Sequence, residues 1–418
     1  MTTIGALIGL ALAIFLIIKK LSPTYSLMIG ALVGALAGGL SITDSVTVMT
    51  DGVKDITPAV IRILAAGVLS GALIASGAAV TLSNAIIRIM GKRFTLAAIA
   101  LTTMILTGVG VFIDVAVITV APIALAAGKQ LRLSPAVILM AMIGGGKCGN
   151  IISPNPNTII AAQNMGADLS MTMLAGVLPA IIGLLFTIFI ILRFMPHKEA
   201  TTITPETDST ENDETYLPSL PASLIAPIVT IALLALRPLL DINIDPLIAL
   251  PIGGLAGMLA MRQRNKILPA MEVGLKKMTS VAVLLIGTGT IAGVIKNSGL
   301  KDIILSSLDS LHLGGSAIAP VAGALMSAAT ASTTAGATIA SASFGDAILS
   351  VGIPAMFGAA MINAGATVLD HLPHGSFFHA TGGVCGLTFN ERLRLIPYEC
   401  AVGAVLALMS VVTYLLFN

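Results

Sequence analysis

The sequence predicts an all-α polytopic membrane protein made of two inverted repeats. Each repeat has about five transmembrane helices, a re-entrant hairpin and one broken helix. Three observations predict it. The 418 residues are 56% hydrophobic and 10% charged, with a mean hydropathy of +1.00, whereas soluble domains carry about 25% charged residues. Uncharged stretches such as TTIGALIGLALAIFLII (2–18) and MTMLAGVLPAIIGLLFTIFIIL (171–192) approach or exceed the roughly 20 residues a spanning helix needs. The third observation is that the two halves resemble each other at a nearly constant offset.

At a shift of 219, AMIGGG (141–146) lies over AMINAG (360–365), Pro135-Ala136 over Pro354-Ala355, and Pro154 over Pro373. DVAVIT (114–119) falls over TTAGAT (333–338) at the same shift, and GALIASG (71–77) over GVIKNSG (293–299) at 222. Several matches in order indicate duplication. The acidic, Thr-rich segment HKEATTITPETDSTENDETYLPSLP (197–221) lacks apolar periodicity and reads as a linker. The expected division is membrane repeat 1 at 1–193, a cytoplasmic acidic linker at 194–218, and membrane repeat 2 at 219–418.

Within repeat 1, spans are expected near 3–18, 25–41 and 59–79, followed by an amphipathic piece at 80–91. An apolar pair follows at 94–110 and 115–127, then an interrupted segment at 135–163 and a span at 171–192. Repeat 2 repeats the plan with spans at 219–237, 246–261 and 279–296, an amphipathic piece, and a pair around ATASTTAGA (329–337). An interrupted segment at 353–381 and a span at 398–417 complete it. The arms of each pair are short and the turns polar, which favours a re-entrant hairpin. Irregular backbone at membrane depth is tolerated only inside protein or beside a watery cavity.

Charge sets the orientation. One set of loops holds Lys19, Lys20, Arg88, Lys92, Arg93, Lys129, Arg132, Arg193, Lys198, Arg262, Arg264, Lys266, Lys276, Lys277, Arg392 and Arg394. The opposite loops hold Asp44, Asp51, Asp55, Asp168, Asp241 and Asp245. The positive-inside rule places the linker in the cytoplasm and both termini outside. An odd number of spans per half makes the repeats inverted, the plan of many secondary transporters, with the site where broken helices meet.

The opening break is GGGKCGNIISPNPNT (144–158). A helix over 135–146 is expected to stop at the glycines, and a half-helix to restart at Ile159. Between them stand Lys147, Asn150, Ser153, Asn155, Asn157 and Thr158, the candidate substrate-binding groups of repeat 1. A half-helix start presents free N–H groups and partial positive charge, which suits a carboxylate. Repeat 2 offers LDHLPHGSFFHATGG (369–383), with His374 and Ser376 as substrate candidates and Asp370 and His371 as proton-coupling candidates. His titrates near neutral pH.

The hairpin tips add Asp114, a third coupling candidate, and Thr333 and Thr334, two further substrate candidates. An ionisable group at membrane depth costs about 2.5–3.5 kcal/mol on insertion scales and is by default a functional candidate. Structural alternatives stand beside each role. Lys147 can pair with Asp114 or Asp370 to hold the fold. His371 and His374 can cap the broken helix. Asn155 and Asn157 can satisfy freed backbone, and small Thr and Ser residues permit close packing.

Other classes find no support. Cys148, Cys385 and Cys400 lack metal-site spacing, and an odd count argues against a disulfide framework. No basic cluster suggests nucleic acid. No nucleophile elbow, zinc motif or P-loop is present, so neither an enzyme nor an ATP-driven pump is expected, and no cofactor or metal.

FIDVAVITVAPIA (112–124), NIISPNPNTIIAA (150–162), DHLPHGSFFHATGG (370–383) and GLTFNERL (386–393) resemble the gluconate permease (GntP) family over nearly the whole chain. That resemblance implies a bacterial inner-membrane proton symporter for gluconate or related hydroxy acids. It matches Asp114 to the family's acidic hairpin position, where many members have Glu, and Ser153–Thr158 to the Pro-rich break. Many gluconate members carry a His-containing break where this chain has Pro154-Asn155-Pro156-Asn157, and Lys147 lies upstream. Those departures allow a substrate other than gluconate.

The expectation is a proton-coupled importer of a small organic anion, a hydroxy-monocarboxylate, embedded in lipid. The Gly- and Ala-rich remaining spans suit a scaffold and a homodimer interface. A sodium-coupled carboxylate symporter and a passive organic-anion channel are the alternatives. A pH-driven, sodium-free uptake measurement separates the first. The absence of uphill accumulation would identify the second.

Overall fold

The chain is seen in a computed structural model that describes residues 1–19, 21–91, 94–195, 217–240, 242, 244–298, 315–373 and 375–418. Most of the linker expected at 194–218, the amphipathic piece expected after 296, and His374 lie outside these residues. The described residues are helical, without strands. Four helical runs among them are long and apolar enough to cross a membrane: Ile42–Ala75, Leu169–Phe194, Arg264–Lys296 and Phe389–Phe417.

Small residues set the first contacts. Helix α1 (Thr3–Ile18) packs on α2 (Pro23–Ala37) so closely that a Cβ on Gly5 would meet Gly38 Cα at 2.3 Å. Backbones approach this way in lipid because Gly leaves no side chain between them. Helix α3 (Ile42–Ala75), followed by α4 (Ala78–Met90), is the longest, and it crosses α14 (Ile267–Lys296). A Cβ on Gly52 would sit 2.1 Å from Gly289 O, and one on Gly274 1.9 Å from Gly67 O. The α3–α14 pair is therefore locked at two levels. The spans expected to start at 59 and 279 begin earlier, at Ile42 and Ile267. Polar residues such as Asp51, Asp55 and Lys276 are carried within these helices as exposed positions.

Two helix pairs fold back at short turns. Helix α5 (Thr95–Gly108) meets α6 (Ile113–Gln130) at a turn containing Gly110 at φ +107°, a left-handed backbone open to glycine. Helix α15 (Ile318–Thr330) meets α16 (Thr333–Ser350) through Ala331 and Ser332. At about 1.5 Å per residue, the 14-residue α5 and 13-residue α15 span only about 20 Å.

Two helices are interrupted, as expected, with one boundary corrected. Helix α7 (Pro135–Asn150) does not stop at Gly146 but runs on through Lys147 to Asn150. The glycines are packing positions, not helix ends. A Cβ on Gly145 would meet Ala100 O of α5 at 1.8 Å, and one on Gly149 would meet Met104 O at 2.1 Å. Close packing outweighs the helix-propensity cost of Gly. After Ile151–Asn155, α8 (Pro156–Met165) begins three residues before Ile159. Asn155 caps it, and Pro156 fills the first-turn position where its missing N–H costs nothing.

The next span is continuous but subdivided into α9 (Leu169–Ala175), α10 (Val177–Phe186), a π turn (Thr187–Ile191) and α11 (Leu192–Phe194). In the second half, α12 (Leu220–Leu240) and α13 (Pro246–Ala260) precede α14. The second broken helix is α17 (Ala355–Ala366) and α18 (Ser376–Val384), followed by α19 (Phe389–Leu393) and α20 (Ile396–Phe417). The centre belongs to the broken helices: every residue from Val137 to Asn150 and from Phe357 to Ala366 is buried.

Candidate functional site

A cavity of about 1050 Å³ lies between the two hairpin tips and the two breaks. The tips contribute Phe112–Val115 and Thr330–Ala335; the breaks contribute Asn150, Asn157, Asp370 and Gly375. The facing wall comes from the α1–α2 junction and from α14 at Lys277, Ser280, Val281 and Leu284. The starts of α6, α16 and α18 all reach this lining. No side chain caps α6 or α18, so first-turn N–H groups there lack an intrahelical partner. Three positive helix ends thus converge on one space.

The first break is a network of amides. Asn155 Oδ1 accepts from Asn157 N at 3.0 Å and Thr158 N at 3.1 Å, which caps α8. Asn155 Nδ2 donates to Asn150 Oδ1 at 2.6 Å, and Asn157 Nδ2 donates to the same oxygen at 3.2 Å. Asn363 of α17 donates to Thr158 Oγ1 at 3.0 Å. Ser153 is fully buried, and its Oγ and the Nδ2 of Asn150 have no partner among the described residues. Asn150 and Asn157 line the cavity, whereas Ser153, Asn155 and Thr158 stand behind it.

The second tip ties both breaks together. Thr333 Oγ1 donates to Asp370 Oδ2 and Thr334 Oγ1 to Asn157 Oδ1, each at 2.6 Å. Consecutive hydroxyls in the first turn of α16 therefore reach one break each.

Behind Asp370 runs a buried chain of charges. Lys147 Nζ lies 2.6 Å from Asp370 Oδ1 and 3.0 Å from His371 Nδ1, and it also donates to the Thr367 carbonyl. His371 Nδ1 is 3.7 Å from Glu399 Oε2, and its Nε2 faces Cys400 Sγ at 3.4 Å. Glu399 pairs with Arg392 through both terminal guanidinium nitrogens. All five residues are 2% exposed or less. Two cations and two carboxylates balance, as buried charges must, around a histidine. Lys147 and His371 do not line the cavity; Asp370 does.

Asp114 differs. It lies in the first turn of α6, lines the cavity and is partly exposed. It has no ion-pair or hydrogen-bond partner among the described residues. Ser376 opens α18. Arg392, Glu399 and Asn363 were not legible as site residues. Arg392 sits in a charged stretch that reads as an interfacial loop, Glu399 is a lone acid at the start of an apolar span, and Asn363 is one polar residue in an apolar helix.

The profile of the GntP family permeases matches residues 1–417. The chain belongs to the GntP permease family. This permease is 52% identical over 417 residues to an uncharacterized transporter of Haemophilus influenzae, covering 100% of this chain and 99% of the relative. It is 22% identical to the D-serine transporter DsdX of Escherichia coli K12, covering 98% and 97%. It is 24% identical to a gluconate permease of Pseudomonas aeruginosa, covering 86% and 85%. The fold of the permease is similar to that of the YdaH transporter of Alcanivorax borkumensis, with a TM-score of 0.62 at 13% identity over 88% and 87% of the two chains. The permease is a transporter, not an enzyme, and a multi-pass protein of the bacterial inner membrane.

Proposed function

We propose that this permease imports a small organic anion, a gluconate-like hydroxy-monocarboxylate, together with a proton. The observation that carries the reading is the convergence of three helix N-termini on the cavity that Asp114 and Asn150 also line. Free N–H groups suit a carboxylate. The Asn157, Thr333 and Thr334 side chains on the lining suit the substrate's hydroxyls. The gluconate permease relative supports this class of substrate.

Asp114 supplies the coupling. As a carboxylate it repels an arriving anion; as a neutral acid it can donate a hydrogen bond to it. Proton and anion binding are then mutually favourable, a reciprocal linkage. Lys147, Asp370 and His371 hold the two breaks in register behind the site. In this reading residues 1–193 and 219–418 are oppositely oriented repeats around the 194–218 linker, and α5–α6 and α15–α16 are re-entrant hairpins. The cavity wall at Leu21, Ser22 and Lys277 adjoins the basic loops, so the conformation is open to the cytoplasm.

The test is uptake of radiolabelled gluconate, glycerate and 3-hydroxybutyrate into proteoliposomes under a pH gradient without sodium. We expect uphill accumulation of at least one. Asp114→Asn should abolish accumulation while leaving anion exchange. Unaltered proton-driven uptake in that variant removes Asp114 from the mechanism.

A further inference from the structure

We propose that Lys277 receives the substrate carboxylate at the linker-side mouth of the cavity, a role that rests on the organic-anion reading above. Lys277 lines the cavity from α14, on one helix face with Ser280, Val281 and Leu284. Its side chain has no ion-pair or hydrogen-bond partner among the described residues. The other titratable groups on the lining are Asp114, Asp370 and His379. Asp370 is paired with Lys147 at 2.6 Å, and His379 Nε2 is held against Pro373 O at 2.8 Å. Among the described lining residues, Lys277 is thus the one free ammonium.

Its place on the scaffold gives that charge a direction. Gly274, one turn earlier on α14, leaves no room for a Cβ against Gly67 O of α3. This stretch of α14 is therefore pinned to α3. The starts of α6 and α16, with Asn157 and Asp370, sit on the hairpins and breaks instead. If those elements carry the anion past the scaffold, the anion meets Lys277 on one side of the membrane only. In the repeat offset of 222, the counterpart position holds Asp55, whose carboxylate is bound to Lys296 Nζ at 3.0 Å. That position on the opposite side offers no free cation. A charge at the mouth of a cavity focuses its field on an incoming anion. Lys277 therefore raises anion affinity and capture at the linker-side face alone.

The experiment measures KM and Vmax from each face, using right-side-out and inside-out vesicles with gluconate, glycerate and 3-hydroxybutyrate. We expect Lys277→Gln to raise KM at the linker-side face about two- to fivefold, the size of one partly exposed charge contact. KM at the other face should stay unchanged, and Lys277→Arg should restore the linker-side value. Added salt should raise the linker-side KM of the unmodified protein and have no such effect on Lys277→Gln. Transport of none of the anions overturns the organic-anion reading and this assignment with it. Transport with equal KM changes at both faces, or with none, overturns the assignment alone. Should Lys277→Gln fail to reach the membrane, the salt response of the unmodified protein decides, and equal responses at the two faces overturn the assignment.

Discussion

Lys147 Nζ lies 2.6 Å from Asp370 Oδ1, joining residues 223 positions apart in the sequence. The pair links the end of α7 to the chain just after α17, so it fastens the two interrupted helices to each other. Removing one partner leaves an uncompensated buried charge, which costs about 3–5 kcal/mol. Lys147→Met and Asp370→Asn should each lower the melting temperature of the purified protein sharply. The double variant should recover most of the loss, because no bare charge remains. Thermal melts in detergent of the four proteins test this. A double variant whose loss equals the sum of the single losses would show that the two groups are not coupled.

The glycines of α7 make the second prediction. Gly145 sits where a Cβ would come within 1.8 Å of Ala100 O, a backbone atom that cannot swing away. Gly145→Ala should force α5 and α7 apart, costing about 1–3 kcal/mol or more, and reduce the yield of folded protein. Gly383, in α18, has nothing within 4 Å of the same position. Gly383→Ala should leave folding intact, since Ala favours a helix by up to about 1 kcal/mol. Size-exclusion profiles of the two variants distinguish packing from a general intolerance of substitution.

That pair of glycines also marks where sequence reading reached its limit. Pro154, Pro156 and the asparagines around them announce a break because Pro cannot continue a ladder and Asn supplies the cap. The tips were legible too, since Asp114 and the Thr330–Thr334 run interrupt apolar stretches. Gly144–Gly146 misled as a helix end, because a propensity argument sees the entropy cost and not the neighbouring backbone that requires it. Lys147 had two acidic candidates, and distance in three dimensions selected Asp370 over Asp114. Glu399 follows a proline at the start of an apolar span. Only its contacts with Arg392 and His371 reveal it as part of the buried chain. Contacts between distant segments carry no local signature in one sequence.

The third prediction concerns the direction in which the cavity opens. Ser280 is exposed and lines the wall beside Lys277. Thr47 is exposed near the start of α3, at the end bearing Asp44 and Asp51. Single cysteines at these positions should therefore react with a membrane-impermeant maleimide from opposite sides. Cys148 and Cys385 are buried and Cys400 is half-buried, so Cys400→Ser gives a quiet background. We expect Ser280→Cys to label in inside-out vesicles and Thr47→Cys in right-side-out ones. A transported anion should slow labelling at 280 and leave 47 unaffected, because only the first faces the cavity. Labelling of Ser280→Cys from the outer face would mean that the basic loops lie outside. The inward-open assignment would then be reversed, and with it the face at which Lys277 acts.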